Sequence, residues 1–213
     1  MGKPEFLFLL QGLKWTVLLT LIGFAGGAVI GLLVALARTS GSAFLMRLTT
    51  AYTAFFQGTP LLMQLFVVYY GLALLQFNID PWIAVSIAFT AHASAFLGDI
   101  WRGGIMALPK GQFEAANALG IPYVSRMRYV ILPQALKISL PATIGFLVQL
   151  LKGTSLAAIV GFVELTRAGQ IVSNQIFQPL LVFGVVGLGY FVLCWPLSLY
   201  GARLERKMAM ATR

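Results

Sequence analysis

The chain has 213 residues, of which 59% are hydrophobic and only 10% are charged, and its mean hydropathy is +0.88. Soluble globular domains carry roughly 25% charged residues, so this composition excludes a soluble protein and predicts one that lies in a bilayer. The net charge of +9 does not indicate a nucleic-acid partner, because the basic residues follow the loops between apolar stretches.

Five apolar stretches of about 20 residues are each long enough to cross a hydrocarbon core of about 30 Å as a helix, and they lack the alternation of membrane barrel strands. The predicted spans run roughly from Trp15 to Ala37, Ala51 to Leu75, Pro81 to Ile100, Gln134 to Leu151 and Leu180 to Tyr200. The first has no cleavage site after a short apolar core, which indicates a retained helix. We expect residues 1–213 to form a single all-α membrane domain.

The basic residues favour one predicted side of the membrane. The first loop, the third loop and the tail together hold Arg38, Arg47, Arg102, Lys110, Arg126, Arg128, Arg203, Arg206, Lys207 and Arg213. The opposite side holds only Lys3, Lys14 and Arg167. Cytoplasmic loops carry the excess of Lys and Arg, so the N-terminus is expected outside and the C-terminus in the cytoplasm.

The first span carries Gly23, Gly27 and Gly31 at intervals of four residues. This spacing places them on one helix face and allows a neighbouring backbone to approach closely. Packing within the chain is favoured over a subunit interface.

The second span is interrupted by Gln57, Gly58, Thr59 and Pro60, about a third of the way into the membrane. Proline inside a membrane helix frees a backbone carbonyl, so such interruptions occur where helices bend or line cavities. A packed kink and a role in a solute pathway are both open here.

The third span carries polar residues at two depths. His92, the only histidine, lies about 11 residues from Pro81 and hence about 16 Å deep, near the midplane. At this depth it is a candidate for contact with solute or for a gate, and equally for a hydrogen bond that packs two helices. Asp99 and Arg102, three residues apart near the cytoplasmic end, are expected to form a structural ion pair.

A polar segment, GQFEAANALGIPYVSRMRYVILP, runs from Gly111 to Pro133 on the predicted cytoplasmic side. Pro109 suits a first helical turn, Gly120 suits a left-handed cap that ends a helix, and Pro122 suits the start of the next. The segment is therefore predicted to form a helix, a sharp corner and a second helix.

The first of these helices has the composition of a docking element. The small side chains of Ala115, Ala116 and Ala118 keep the surface of this helix low. The larger side chains of Phe113 and Leu119 are expected to project from it. Such a helix could seat closely in a groove on a partner.

The fourth span ends at Lys152, Gly153, Thr154 and Ser155 and is followed by a short apolar segment. We expect the helix to break at Gly153, as in the discontinuous helices of transporters, where freed backbone groups meet solute. Capping by Thr154 or Ser155 without any contact to solute is the alternative.

Several enzyme chemistries lack their residues. The chain has no glycine-rich phosphate loop followed by Lys and Ser or Thr, and one histidine supports neither a zinc site nor a serine hydrolase triad. The lone Cys194 allows no disulfide and no cysteine-ligated metal. We therefore expect no catalytic residues, no metal and no cofactor, and any uphill transport must draw its energy from a partner or an ion gradient.

The cytoplasmic segment resembles the signature of the membrane subunits of ATP-binding-cassette (ABC) importers. The matching residues are Glu114, Ala115, Ala116, Gly120, Leu132 and Pro133, with Val130 where isoleucine is usual. QGTPLLMQL from Gln57, DIWRGGI from Asp99, KGQFEAA from Lys110 and KGTSLA from Lys152 are similar to motifs of the polar amino acid branch, of the histidine, glutamine and arginine permease type. The family often has arginine in place of Gln57, glutamate in place of Asp99 and aspartate in place of Gly153.

The resemblance implies a type I ABC importer permease of five helices in the bacterial cytoplasmic (inner) membrane. It also implies the partners: an identical or homologous permease subunit, a dimer of cytoplasmic ATP-binding subunits, and a periplasmic or other extracytoplasmic solute-binding protein that delivers an amino acid.

Two groups of site residues follow from the resemblance and from the local features above. The residues coupled to the ATP-binding subunit are Glu114, Ala115, Ala116, Gly120, Leu132 and Pro133. The substrate pathway residues are Gln57, Thr59, His92, Thr154 and Ser155. Glu114 is expected to stabilise the corner by accepting hydrogen bonds or pairing with a base, and contact with the ATP-binding subunit is the second interpretation.

Two other functions compete with this one. An ion-coupled secondary carrier of a small polar solute would need inverted repeats and paired intramembrane carboxylates, which Asp99 alone does not provide. A structural scaffold that anchors a cytoplasmic enzyme would have no use for the interruptions at Thr59–Pro60 and Gly153–Thr154.

Overall fold

The computed structural model describes residues 1–77 and 79–211, and within these ranges the chain is helical with no strand. Arg213, counted above among the basic residues of the tail, lies outside them. The helices are α1 (Lys3–Thr39), α2 (Ala43–Gly58), α3 (Leu61–Leu74), α4 (Pro81–Met106), α5 (Lys110–Ala118), α6 (Tyr123–Val160), α7 (Leu165–Ile176) and α8 (Pro179–Ala211).

Four of these helices, α1, α4, α6 and α8, are long and apolar enough to cross a membrane. The α2 and α3 helices are bent by 103° at a short break and supply the fifth span if they are taken together. The five predicted spans are thus confirmed as four long helices and one bent pair. Several helices extend beyond the predicted ends: α1 begins at Lys3 and α2 at Ala43, whereas the predicted spans begin at Trp15 and Ala51.

The α1 and α4 helices meet along the predicted glycine face and form the centre of the fold. An added Cβ at Gly23 would lie 2.9 Å from the Phe89 Cβ, and one at Gly31 would lie 3.0 Å from the Gly98 nitrogen. At Gly27 it would overlap the Cβ of Ala93. These contacts lie within one chain, so the prediction of internal packing is confirmed.

The α7 helix packs between the start of α1 and the start of α8. Its buried residues form a second core with both helices: Leu9, Leu165, Ala168, Val172, Val182 and Val186. Cys194 lies on α8 and is buried against Val148 and Leu151 of α6. The long helices are therefore joined through α1, α4 and α6.

Candidate functional site

The corner between α5 and α6 has the predicted left-handed cap. Gly120 has a φ of +67°, its N–H donates to the Asn117 carbonyl at 2.9 Å, and the Ile121 N–H donates to the Ala116 carbonyl at 3.1 Å. These two bonds form a complete Schellman motif, which satisfies carbonyls at the end of the helix. Pro122 directly precedes α6, as expected, whereas Pro109 precedes α5 instead of lying in its first turn.

The α5 helix turns one face to its own chain and leaves the other open. Ala116 is buried, and Phe113 packs against the main core, so the expectation that Phe113 projects towards a partner is wrong. Phe113 is drawn inward because α5 lies directly against the ends of the long helices. Glu114, Ala115 and Leu119 are exposed, and Leu119 is 77% exposed.

Glu114 does not brace the corner. Within the described part of the chain its carboxylate makes no hydrogen bond and no ion pair, so the preferred interpretation of this residue is wrong. Arg126 braces it instead, since Nη1 donates to Asn117 Oδ1 and the guanidinium lies 5.5 Å from the Tyr123 ring centroid. The Glu114 carboxylate is therefore free to meet a partner.

Leu132 and Pro133 follow a π turn, Met127–Ile131, near the start of α6. Proline has no N–H to continue the regular ladder, and here the Leu132 N–H reaches back five residues to the Met127 carbonyl. Leu132 packs against the main core, whereas Pro133 is exposed. The two residues thus form the start of the regular part of α6 below the corner.

A second polar region lies where α2 bends into α3; we call it the central break and define it as Thr59, Pro60, Gln64 and His92. Gln64 Nε2 donates to the Phe56 carbonyl at 2.8 Å and to the Thr59 carbonyl at 3.0 Å. His92 Nδ1 lies 3.1 Å from Gln64 Oε1. The histidine of α4 and the interruption of the second span are therefore joined through one glutamine.

Gln57 lies two residues before Thr59 and is exposed. Its Nε2 donates to the Ala95 carbonyl of α4 at 3.4 Å. It is thus close to the central break but is not part of its hydrogen-bond network.

The chain does not break at Gly153, contrary to expectation. Gly153 is helical, and α6 tightens into a 3₁₀ turn, Thr154–Val160, that ends at Gly161 with a φ of +85°. The Thr154 hydroxyl donates to the Leu151 carbonyl at 2.7 Å, and the Ser155 hydroxyl donates to the Lys152 carbonyl at 2.8 Å. The two hydroxyls therefore satisfy carbonyls of the preceding turn where the α-helix changes to a 3₁₀ helix. They do not cap the end of the helix, and they leave none of these carbonyls available to solute.

Gly153 nevertheless faces the central break. A Cβ on this residue would lie 3.3 Å from the Leu61 side chain, so the first turn of α3 packs over it. The structure thus links Thr59 to His92 through Gln64 and places Gly153 against Leu61, the residue after Pro60, whereas Thr154 is fully buried.

Asp99 forms the expected ion pair and a second one that the sequence did not indicate. Its Oδ1 lies 3.0 Å from Arg102 Nε and 2.7 Å from Arg38 Nη1 on α1. Arg38 Nη1 also contacts the Thr53 hydroxyl of α2 at 3.4 Å. Asp99 therefore joins α4 to α1, and Arg38 extends this cluster to α2.

Glu164 is a buried carboxylate that sequence reasoning missed. It precedes α7, accepts the N–H groups of Thr166 and Arg167 at 2.9 and 2.8 Å, and accepts the Tyr190 hydroxyl at 2.7 Å. Burial raises the pKa of the Glu164 carboxyl, and these hydrogen bonds act in the opposite direction. Glutamate is not among the preferred N-cap residues, and nothing in the local sequence indicated Tyr190 as its partner.

Residues 27–210 match the family model described as binding-protein-dependent transport system inner membrane component. The arginine transport system permease protein ArtQ of Bacillus subtilis (strain 168) is 35% identical over 210 residues, covering 96% of this chain and 94% of that protein. The glutamine transport system permease protein GlnP of Escherichia coli (strain K12) is 35% identical over 207 residues, with the same coverage of both chains. The probable amino-acid ABC transporter permease protein YckA of Bacillus subtilis (strain 168) is 33% identical over 205 residues, covering 96% and 91%.

Two solved structures have a similar fold. A crystal structure of an amino acid ABC transporter with histidines superposes with a TM-score of 0.85 at 33% identity, covering 94% of each chain. The MetNI methionine ABC transporter in an inward-facing conformation superposes with a TM-score of 0.80, covering 97% of this chain and 99% of that one. The second match has 23% identity and supports the fold alone.

Proposed function

Because the chain belongs to the family of inner membrane components of binding-protein-dependent transport systems, we propose that it carries an amino acid through the bacterial cytoplasmic membrane, with an identical or homologous permease subunit beside it. The chain is the multi-pass permease subunit of an ABC importer and is not itself an enzyme. It works with ATP-binding subunits and a solute-binding protein. The alternative of an ion-coupled carrier is not favoured by these relatives.

The amino acid substrate is proposed from the relatives. ArtQ is named as an arginine permease and GlnP as a glutamine permease, whereas YckA is named as a probable amino-acid permease without a particular amino acid. Arginine and glutamine, named for two of the relatives, differ in side-chain charge. We therefore propose amino acids as the substrate class and not one particular amino acid. Gln57, Thr59, His92, Thr154 and Ser155 remain the proposed residues of the pathway.

Contact with the ATP-binding subunits is proposed at the corner between α5 and α6. The observation that carries this proposal is the free Glu114 carboxylate beside the exposed Ala115 and Leu119, on a helix whose end is fixed by the Schellman motif. A rigid corner of this kind transmits a rigid-body movement into α4 and α6, which flank it in the chain. Glu114, Ala115, Ala116, Gly120, Leu132 and Pro133 are the proposed coupling residues.

The corner would then face the cytoplasm, with the N-terminus outside. In the proposed cycle, ATP closes the dimer of ATP-binding subunits and each α5 helix moves with it. The permease passes from an inward-open to an outward-open state, and the solute-binding protein delivers the amino acid from outside. Residues 1–213 act as a single transmembrane domain in this scheme.

The test is reconstitution of the purified complex in lipid vesicles, with ATP hydrolysis and uptake of labelled amino acids measured in the presence of the binding protein. Stimulation of both by one amino acid supports the proposal, and the absence of an associated ATPase contradicts it. Glu114→Ala should weaken the association with the ATP-binding subunits. Glu205→Ala, which removes an exposed carboxylate from α8 and leaves the corner unchanged, is the matched control and should not.

A further inference from the structure

The bend between α2 and α3 lacks one backbone donor. In an unbroken helix the N–H of residue 60 would bond to the carbonyl of Phe56, four residues earlier, but Pro60 has no N–H. Gln64 Nε2 donates to this same carbonyl at 2.8 Å. The side chain of Gln64 therefore occupies the place of the missing backbone donor.

The same amide satisfies the last residue before the proline. Gln64 Nε2 lies 3.0 Å from both the carbonyl and the hydroxyl of Thr59, and this hydroxyl gives its own hydrogen to the Phe55 carbonyl at 2.8 Å. The orientation of the amide follows from these contacts, since turning it over would place its oxygen against carbonyls that only accept. Gln64 Oε1 must then point away from the break.

His92 meets this oxygen from another helix. Its Nδ1 lies 3.1 Å from Gln64 Oε1, and because Oε1 only accepts, the imidazole must carry a proton on Nδ1. The two side chains are only 6% and 8% exposed. The ring of His92 also packs against Phe96, at 4.7 Å between centroids, and lies 6.3 Å from Phe146 of α6; these two phenylalanine rings are themselves stacked at 5.3 Å.

From this geometry we propose that Gln64 and His92 are positioning residues of transport. The pair fixes the angle between α2 and α3 and ties the start of α3 to α4, so that the two move as one body during the cycle. The Nδ1 donor of His92 is directed to Gln64, so this side of the ring holds the break in shape. This inference rests on the proposed function, because the movement it describes is the transport cycle.

A positioning role predicts a change in turnover more than in apparent affinity. We expect Gln64→Leu to leave the Phe56 and Thr59 carbonyls without their donor and to lower the maximal rate of amino acid uptake by about tenfold, with a smaller change in KM. Gln11→Leu makes the same exchange at an exposed site on α1 and should have no effect.

Two substitutions of His92 separate its hydrogen bond from its packing. His92→Asn retains an N–H donor near the position of Nδ1 but loses the aromatic ring. His92→Phe retains a ring that stacks on Phe96 and Phe146 but cannot donate. We expect His92→Asn to transport faster than His92→Phe, and the reverse order overturns the proposal.

A spectroscopic measurement does not depend on transport. His92 is the only histidine of the chain, so a ¹⁵N-histidine-labelled chain assembled with unlabelled partner subunits gives one imidazole. The proton should reside on Nδ1 in the wild type and shift towards Nε2 in Gln64→Leu. A wild-type imidazole protonated on Nε2 overturns the inference, whatever the substrate. Failure of the wild-type complex to take up amino acids, with the expected Nδ1 signal, counts against the proposed function alone.

Discussion

Gly103 and Gly104 are neighbours on α4 but have different surroundings, and replacing each by alanine tests how closely α4 is seated against α6. A Cβ on Gly104 would lie 2.6 Å from the backbone oxygen of Ala135 and 3.1 Å from the Ser139 Cβ. A Cβ on Gly103 would meet no atom within 4 Å. The same substitution thus creates an overlap at one position and fills open space at the other.

The magnitude follows from the shortest of these distances. Close carbon–oxygen contacts between helices are about 3.3 Å or longer, so Gly104→Ala must move α4 and α6 apart by about 0.7 Å, the difference from 2.6 Å. Overpacking of this kind costs about 1–3 kcal/mol, and alanine in place of a helix-interior glycine recovers about 0.5–1 kcal/mol. We expect the free energy of unfolding to fall by about 1–2 kcal/mol in Gly104→Ala and to rise by about 0.5–1 kcal/mol in Gly103→Ala.

Cys194 provides the assay. It is the only cysteine and is buried between α6 and α8, so a thiol-reactive fluorophore reports its exposure as the chain unfolds in detergent. For a chain of this size the midpoint should fall by roughly 2–8 °C in Gly104→Ala and rise by a few degrees in Gly103→Ala. Equal midpoints for the two variants, or a lower one for Gly103→Ala, would refute the close α4–α6 contact.

Three further predictions concern the corner and the two acidic residues in polar clusters. Gly120→Val should uncouple ATP hydrolysis from uptake, because a β-branched residue is strained at a φ of +67°. Stimulated hydrolysis and uptake at wild-type levels would show that coupling does not need the left-handed conformation at this position. Asp99→Ala leaves the half-buried guanidinium groups of Arg38 and Arg102 without their carboxylate. It should lower the free energy of unfolding by about 1–3 kcal/mol in the Cys194 assay, and an unchanged midpoint would count against this cluster. Glu164→Gln removes a group whose pKa is raised by burial; a raised pKa in the folded state gives stability that is lost as the pH rises through it. The wild type should therefore lose stability relative to Glu164→Gln as the pH rises above 4.5, and parallel pH profiles would contradict the raised pKa.

The features that depend on residues close in sequence were the ones that the sequence alone predicted correctly. The left-handed cap at Gly120 needs only a glycine at the end of a helix, and the glycine face of α1 needs only a spacing of four. Hydropathy located the spans but not their ends, because about 20 residues are enough to cross the membrane and a helix such as α1, with 37 residues, is longer than that.

Contacts between distant residues could not be predicted in the same way. Gln64 stands in an apolar segment, LLMQL, and no local pattern indicates that its amide replaces the donor missing at Pro60 or that it meets His92. At Gly153 the local sequence predicted a helix break that the structure does not have. Glycine beside hydroxyls indicates a break when read alone, but both hydroxyls bond to carbonyls of the same helix and Gly153 itself stays helical.

The glycine face between α1 and α4 also limits how this part of the chain can change over evolutionary time. Gly27 faces the Cβ of Ala93 with no room for a second methyl group, so alanine can be accommodated at position 27 only if position 93 loses its own side chain. The double exchange of Gly27→Ala with Ala93→Gly would remove this overlap, with the new Cβ still 3.0 Å from the Ala93 carbonyl carbon and 3.1 Å from the Ser94 nitrogen. In homologous permeases we therefore expect the side chains at positions 27 and 93 to change together, one becoming larger where the other becomes smaller. The two positions share one volume between the two helices.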